Sequence, residues 1–364
     1  MTPLNQFQPT FAFHPGVTLK EKLDELNIGS KELAVRTGKP EKSISEIING
    51  KAGVSAESAI AFERVLKIPA HFWLAKQSRY EEFVARERLK AEEAKSLDWV
   101  RLFPYLEMAK LGWIASTSRA EEKLEQILNF FGVQNESAWE NIYIHSAVKA
   151  QFKLSLSHSK NPQALSAWLR KDDLDAANFH TPDYDPKLFS ACLEKCKHLI
   201  ALHPKDLFTQ LQTLCADTGV RLVYTPGLPK APISGATRWV GGKPVIQMTN
   251  RFKRNDHFWF TFFHEAAHIL KHGKNDVFLE EADYNENDMA KEEEANNFAS
   301  EMLLTKSQEK VLVDNSPLME KEILDIARRF ETHPAILIGR LKFLGALKYT
   351  EFNQFYCEIN LDNL

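Results

Sequence analysis

Apolar positions set out the chain's elements before any motif is considered. Leu19, Leu23 and Leu26 share a helical face from Thr18 onward, and Gly29 follows where that helix should stop. Ser30 reads as the N-cap of a second short helix carrying Leu33 and Ala34, and Thr37-Gly38 as a turn. Pro40 opens a third helix at its first position, with Ile44, Ile47 and Ile48 inward and Gly50 at its end. The first dozen residues are polar and irregular and read as a mobile arm, and the charged sequence from Glu81 to Lys95 predicts a connecting helix. Helical periodicity continues beyond it, with aromatics from Phe103 to Trp168 and turns at Gly132–Asn135 and Ser159–Pro162.

From Lys205 the pattern changes. A helix to about Asp217 leads into a strand at Val220–Tyr224, and Ser234–Val240 and Pro244–Thr249 flank Gly241-Gly242 as a hairpin. A strongly apolar helix follows over about Asp256–His272, another over Lys291–Leu304 with Ala295, Phe298, Ala299 and Met302 buried, and two more beyond Glu320. The expectation is a mainly α chain: an all-α domain at residues 1–92, a helical linker or sensor region at 93–204, and an α+β domain with a small sheet at 205–364.

A chain of 364 residues has room for two or three domains, each burying its own core. Its 44% hydrophobic and 26% charged residues are those of a soluble protein, no apolar run approaches a membrane span, and the first residues, with neither a basic nor an apolar stretch, give no expectation of export. Four cysteines without disulfide-framework spacing fit a cytoplasmic chain with reduced thiols; Cys192 and Cys196, one turn apart, read as buried small side chains. The net charge of −3 leaves any nucleic-acid contact to a local patch.

The candidate chemistry lies in Phe262-Phe263-His264-Glu265-Ala266-Ala267-His268. H-E-x-x-H on a helix sets His264 and His268 one turn apart on one face, where both imidazoles can bind one Zn²⁺. Glu265 beside them is placed to take a proton from a water that the ion acidifies, the general-base step of amide hydrolysis. A catalytic zinc site wants a third protein ligand. His272 lies a further turn along and reads as a helix-end residue, whereas Lys291-Glu292-Glu293-Glu294-Ala295-Asn296 offers Glu292 as ligand and Asn296, one turn on, as an amide supporting the ligands. Tyr284, Arg238 and His257 are candidates for stabilising an oxyanion.

The N-terminal helices carry a different chemistry. Two short helices joined by a tight turn, the second with a polar outer face, form the arrangement that enters the major groove of DNA. Lys31, Arg36, Lys39 and Lys51 are candidates for phosphates, Ser43, Ser45 and Asn49 for base edges, and Lys42 for a further DNA contact on the outer face. With His14-Pro15-Gly16, Ser30-Lys31-Glu32-Leu33-Ala34, Ser43 to Lys51 and Ile68-Pro69-Ala70-His71-Phe72-Trp73-Leu74, residues 14–80 resemble the XRE-type helix-turn-helix of HigA-like antitoxins. That resemblance implies a five-helix domain that binds double-stranded operator DNA as a homodimer, with Phe72, Trp73 and Leu74 in the core or at the dimer contact.

The pairing of His264-Glu265-x-x-His268 with Glu292-x-Glu294-Ala295-Asn296-x-Phe298-Ala299-x-x-x-Leu303-Leu304 resembles the ImmA/IrrE family of metallopeptidases over residues 205–310. Ala267 stands where that family usually has Gly, and Thr305-Lys306 where Met-Pro often follows. The resemblance implies zinc held by His264, His268 and Glu292, with Glu294 as fallback third ligand, Glu265 as general base, and cleavage of a helix-turn-helix repressor as the reaction. The alternative is an antitoxin-type transcription regulator whose metal domain senses or binds without proteolysis.

Overall fold

The computed structural model describes residues 11–93, 96–145, 161–176, 181–231, 233–251, 253–272, 278–279, 286–359 and 361. The sequence-predicted N-terminal arm falls mostly outside them. Contacts divide the chain into two compact units, residues 1–95 and 96–364.

The first unit is helical throughout: α1 (Pro15–Glu25), α2 (Ser30–Thr37), α3 (Glu41–Ile48), α4 (Ala56–Leu66) and α5 (Ala70–Glu93). Leu19, Leu23, Leu33, Ile44, Ile47, Phe62 and Trp73 fill its core. A Cβ on Gly16 would come within 1.9 Å of the Ile47 carbonyl oxygen, so only glycine lets α1 lie this close to α3. Gly38, at φ +66°, ends α2 in the left-handed conformation that turns the chain into α3. Pro40 is the N-cap of α3 and Gly29 that of α2, each one residue from the position expected. The connecting helix is the second half of α5, with no break after Trp73. That tryptophan is buried, whereas Phe72 and Leu74 on either side are exposed.

In the second unit, residues 96–204 contribute α6 (Leu97–Val100), α7 (Tyr105–Lys110), α8 (Ala120–Phe131), α9 (Glu136–Glu140), the π-turn Asn141–His145, α10 (Pro162–Ala176) and α11 (Pro186–Leu202). Then come α12 (Leu207–Ala216), β1 (Arg221–Tyr224), β2 (Gly235–Val240), β3 (Lys243–Met248), α13 (Asn255–Lys271), β4 (Phe278–Leu279), α14 (Glu286–Leu303), α15 (Lys306–Asp314), α16 (Glu320–Arg329) and α17 (Pro334–Phe343). The strands form one sheet in the order β1-β3-β2-β4, with β1 parallel to β3 and the β2–β3 hairpin turning at Gly241-Gly242. The two-residue β4, which the sequence pattern does not announce, pairs antiparallel with Ala236 and Thr237 of β2.

Strand alternation gives the sheet two buried faces. Leu222, Ile246 and Met248 point into a core with Phe258, Trp259, Phe262 and Phe263 of α13, and Cys192, Cys196 and Cys215 lie in the same apolar cluster. Ala236 points the other way, into the aromatic cluster of Trp99, Phe103, Phe131, Trp139 and Trp168. Arg238 follows it onto that face. Its guanidinium is 1% exposed and bonds Asp172 of α10, Gln247 of β3 and, at 3.1 Å, the Leu169 carbonyl oxygen. Arg221 reaches the same Asp172 oxygen at 2.9 Å. Gln247 donates to the Trp168 carbonyl at 2.9 Å, and Trp168 Nε1 to the Thr225 carbonyl at 3.1 Å. Charged and amide groups thus lock α10 to the back of the sheet. None of the described helices is long and apolar enough to cross a membrane.

Candidate metal centre and candidate nucleic-acid interface

Helix α13 is buried along most of its length, so its rotation about its own axis is fixed by packing. Phe258, Trp259, Phe262, Phe263, Ala266 and Ile269 occupy the core-facing positions. His264 and His268 are left facing α14. Their Nε2 atoms are 3.0 Å apart, and Glu292 of α14 brings carboxylate oxygens to 3.1 Å from His264 Nε2 and 3.4 Å from His268 Nε2. All three ligand-type atoms lie within 4.8 Å of one another, the sole such group of three among the described residues.

The hydrogen bonds behind the imidazoles determine what faces the cluster. Asn296 Oδ1 lies 3.0 Å from His264 Nδ1 and accepts its proton, which leaves the Nε2 lone pair pointing inward. His268 Nδ1 is 2.8 Å from His272 Nδ1, and His272 Nε2 is 3.3 Å from Glu294 Oε2. Because the carboxylate only accepts, His272 donates through Nε2 and receives the His268 proton at Nδ1. His268 Nε2 therefore also presents a lone pair. Burial, then the neighbouring His264, hold the His268 pKa far below the usual imidazole range. Two lone pairs 3.0 Å apart beside a carboxylate repel one another unless a cation lies between them. Two neutral imidazoles and a carboxylate suit Zn²⁺.

Glu265 is completely buried. Thr237 Oγ1 donates to Glu265 Oε2 at 2.6 Å and lies 2.9 Å from the Glu265 carbonyl oxygen, tying the carboxylate to β2. A Cβ at Gly235 would meet Glu265 Oε1 and Thr261 Cγ2 at 2.8 Å, so the strand passes this close only with glycine there.

The structure brings His264, His268, Glu292 and Asn296 together, with Glu265 beside His264 on α13 and turned to β2, and it places three other candidates away from the roles expected of them. Glu294 does not reach the cluster: it is half-exposed at its rim, paired with His272 and Lys271. His272 is more than a helix-end residue, since its side chain is 4% exposed and contacts His268. Arg238 is no oxyanion donor, because alternation turns it to the opposite face of the sheet from Thr237. His257 is exposed and seven residues before His264, about 10 Å along the helix axis. Tyr284 lies outside the described residues, as does most of the acidic loop before α14. Thr237 gives no sequence signal, whereas His272 extends the four-residue spacing of His264 and His268.

In the first unit, α3 exposes Lys42 and Asn49 and half-exposes Ser43 and Ser45; Lys31 and Lys51 are exposed nearby. Acidic neighbours temper the cations: Lys39 pairs with Glu57 at 3.3 Å, Lys42 with Glu46 at 3.9 Å and Arg36 with Glu32. Asn49 Nδ2 bonds the Ser45 carbonyl at 2.8 Å and its hydroxyl at 3.3 Å, so these two polar side chains form one unit.

Comparison with known proteins bears on both units. Residues 19–73 match a helix-turn-helix family model, and residues 215–342 match the IrrE N-terminal-like domain, Peptidase_M78. Virulence-associated protein A' of Dichelobacter nodosus is 39% identical over 69 residues, 19% of this chain and 60% of that protein. Virulence-associated protein A of the same organism is 32% identical over 96 residues, 26% of this chain and 90% of that protein. The chain thus spans less than two thirds of the first relative. The antitoxin HigA of Pseudomonas aeruginosa, solved with the higBA promoter, is 29% identical and covers 22% of this chain and 90% of its own, with a TM-score of 0.22. Residues 19–73 thus carry a helix-turn-helix domain, and residues 215–342 a domain of the IrrE N-terminal-like, Peptidase_M78 kind.

Proposed function

We propose that this protein is a cytoplasmic zinc endopeptidase that cleaves a helix-turn-helix transcriptional repressor and carries its own operator-binding domain. The observation that carries the reading is the buried Glu265 carboxylate, held by Thr237 on the helix that presents His264 and His268 to Glu292. Zn²⁺ held by His264, His268 and Glu292 supplies, when bound, a Lewis acid that polarises a peptide carbonyl and acidifies a water toward a pKa of ~7. Glu265 accepts the proton of the attacking water and returns it to the departing amine. Thr237 fixes the direction of that carboxylate, and burial keeps bulk water from competing for the proton. In this reading residues 1–92 address the molecule, residues 205–364 carry the chemistry, and residues 93–204 brace the back of the sheet through Asp172 and Trp168.

Metal removal tests the reading. The full chain stripped by a chelator should leave a co-encoded helix-turn-helix repressor intact, and one equivalent of zinc should restore two discrete fragments by mass spectrometry. Cleavage persisting in chelator would sink it. Zinc binding with no cleavage would point instead to a regulator that senses through the same site.

For the first unit, the helix-turn-helix match and the polar outer face of α3 support binding of double-stranded operator DNA, which in this reading the protein meets as a homodimer. Lys31, Lys39, Lys42 and Lys51 meet phosphates in this reading, and Ser43, Ser45 and Asn49 meet bases. Lys42→Ala is expected to weaken binding to the chain's own promoter and to flatten the slope of log K against log salt by about one. Fluorescence anisotropy at several salt concentrations measures it, and a slope equal to that of the wild type would remove Lys42 from the interface.

A further inference from the structure

We infer that His272 and Glu294 are positioning residues for the metal site: they form a relay that fixes the tautomer and direction of His268. The inference rests on the metal-site reading above and concerns two side chains that the reading does not use.

The relay runs through four residues. Lys271 Nζ lies 3.3 Å from Glu294 Oε1, Glu294 Oε2 lies 3.3 Å from His272 Nε2, and His272 Nδ1 lies 2.8 Å from His268 Nδ1. The His272 side chain is 4% exposed although the residue stands just past the end of α13, where its backbone is extended at φ −109°, ψ 160°. That departure from helical geometry, together with the His272 N–H bond to the His268 carbonyl at 3.1 Å, accompanies the approach of its ring to His268. Side-chain packing at a helix terminus needs no such alignment of nitrogens. Here donors and acceptors alternate in one consistent order: carboxylate, Nε2–H, Nδ1 lone pair, Nδ1–H, and finally the Nε2 lone pair that faces His264 and Glu292.

The geometry also explains the spacing on α14. Glu292 supplies the carboxylate, Asn296 one turn later holds His264 directly, and Glu294 between them lies at the rim, where it cannot reach His268 itself. An imidazole bridges that gap. Each ligand histidine is thereby anchored to α14 through its rear nitrogen, one by an amide and the other through a second histidine. Groups behind a metal-binding histidine orient it and raise its basicity, and their loss typically costs about 10–100-fold in affinity.

Zinc competition between the full-length chain and a chromogenic chelator tests the relay, with the visible spectrum of the cobalt-substituted protein as a second readout. His272→Phe keeps the ring volume and removes both nitrogens, and is expected to weaken zinc binding by about 10–100-fold. His272→Asn, whose amide oxygen can accept from His268 Nδ1, should recover most of that loss and the wild-type cobalt spectrum, which a purely space-filling role would not produce. Glu294→Ala, at a half-exposed position where folding is not at stake, should weaken binding in the same direction. Wild-type affinity in both His272→Phe and Glu294→Ala would overturn the relay while leaving the site intact. Failure of the wild-type chain to bind zinc would overturn the metal-site reading, and the relay with it.

Discussion

Glu265→Gln is expected to lower repressor cleavage by about 10²–10⁴-fold while the protein still binds one equivalent of zinc. The amide is nearly isosteric with the carboxylate, and its oxygen can still accept the Thr237 hydroxyl proton that now goes to Glu265 Oε2. What it cannot do is take a proton from water. Glu265 is not among the three groups that converge on the cluster, so metal affinity should not follow activity. Single-turnover cleavage with purified repressor, set beside zinc content by mass spectrometry, separates the two quantities. Equal cleavage by both proteins would remove Glu265 from the chemistry, and loss of zinc together with activity would show it to be a structural support.

The second large effect is on stability and comes from the opposite face of the sheet. Asp172→Ala should destabilise the protein by about 3–5 kcal/mol, because it leaves Arg221 a buried cation without its carboxylate and Arg238 with only Asp173, at 3.4 Å. For a unit of this size the loss corresponds to a fall in Tm on the order of 10 °C. The network is itself incompletely satisfied: Asp172 Oδ1, Arg221 Nε and Arg238 Nε are buried without a hydrogen-bond partner among the described residues. Removing the Arg238 charge together with Asp172 should therefore cost less than removing Asp172 alone, since only Arg221 then loses its partner. Asp172→Leu combined with Arg238→Met is expected to be more stable than Asp172→Ala, as buried ion pairs replaced by apolar groups of similar volume often are. Thermal unfolding followed by circular dichroism reads all three proteins, and an Asp172→Ala variant melting with the wild type would show that solvent reaches these guanidinium groups. Arg238 neighbours Thr237 on β2, so the same variants report whether disturbing α10 reaches Glu265.

Several parts of this protein follow from local sequence alone. Helical spacing puts His264 and His268 on one face whatever surrounds them, because residues four apart on a helix lie one above the other. The apolar run around them requires a buried helix, and the short α2–Gly38–α3 segment requires a turn between two helices, since glycine adopts positive φ without a steric penalty. Gly241-Gly242 marks the hairpin for the same reason. The pairing of Glu292 with Asn296 is legible because residues one turn apart share a face of α14, so both can meet His264.

Other features depend on how one element is rotated or placed against another, and no local pattern encodes that. Glu292 and Glu294 are equivalent as letters, and the orientation of α14 against α13 turns one into the cluster and leaves the other at its rim. Alternation along β2 sends Thr237 toward Glu265 and Arg238 to Asp172, but which face meets which helix is decided by the packing of α13 and α10 on the two sides. His272 could be read as a helix end because its role depends on a partner 22 residues away on another helix. The sequence by itself determined the donor types and the local elements that carry them, since both follow from side-chain chemistry and short-range sterics. Only the tertiary structure decided which donors converge, because convergence is set by long-range packing of the buried faces.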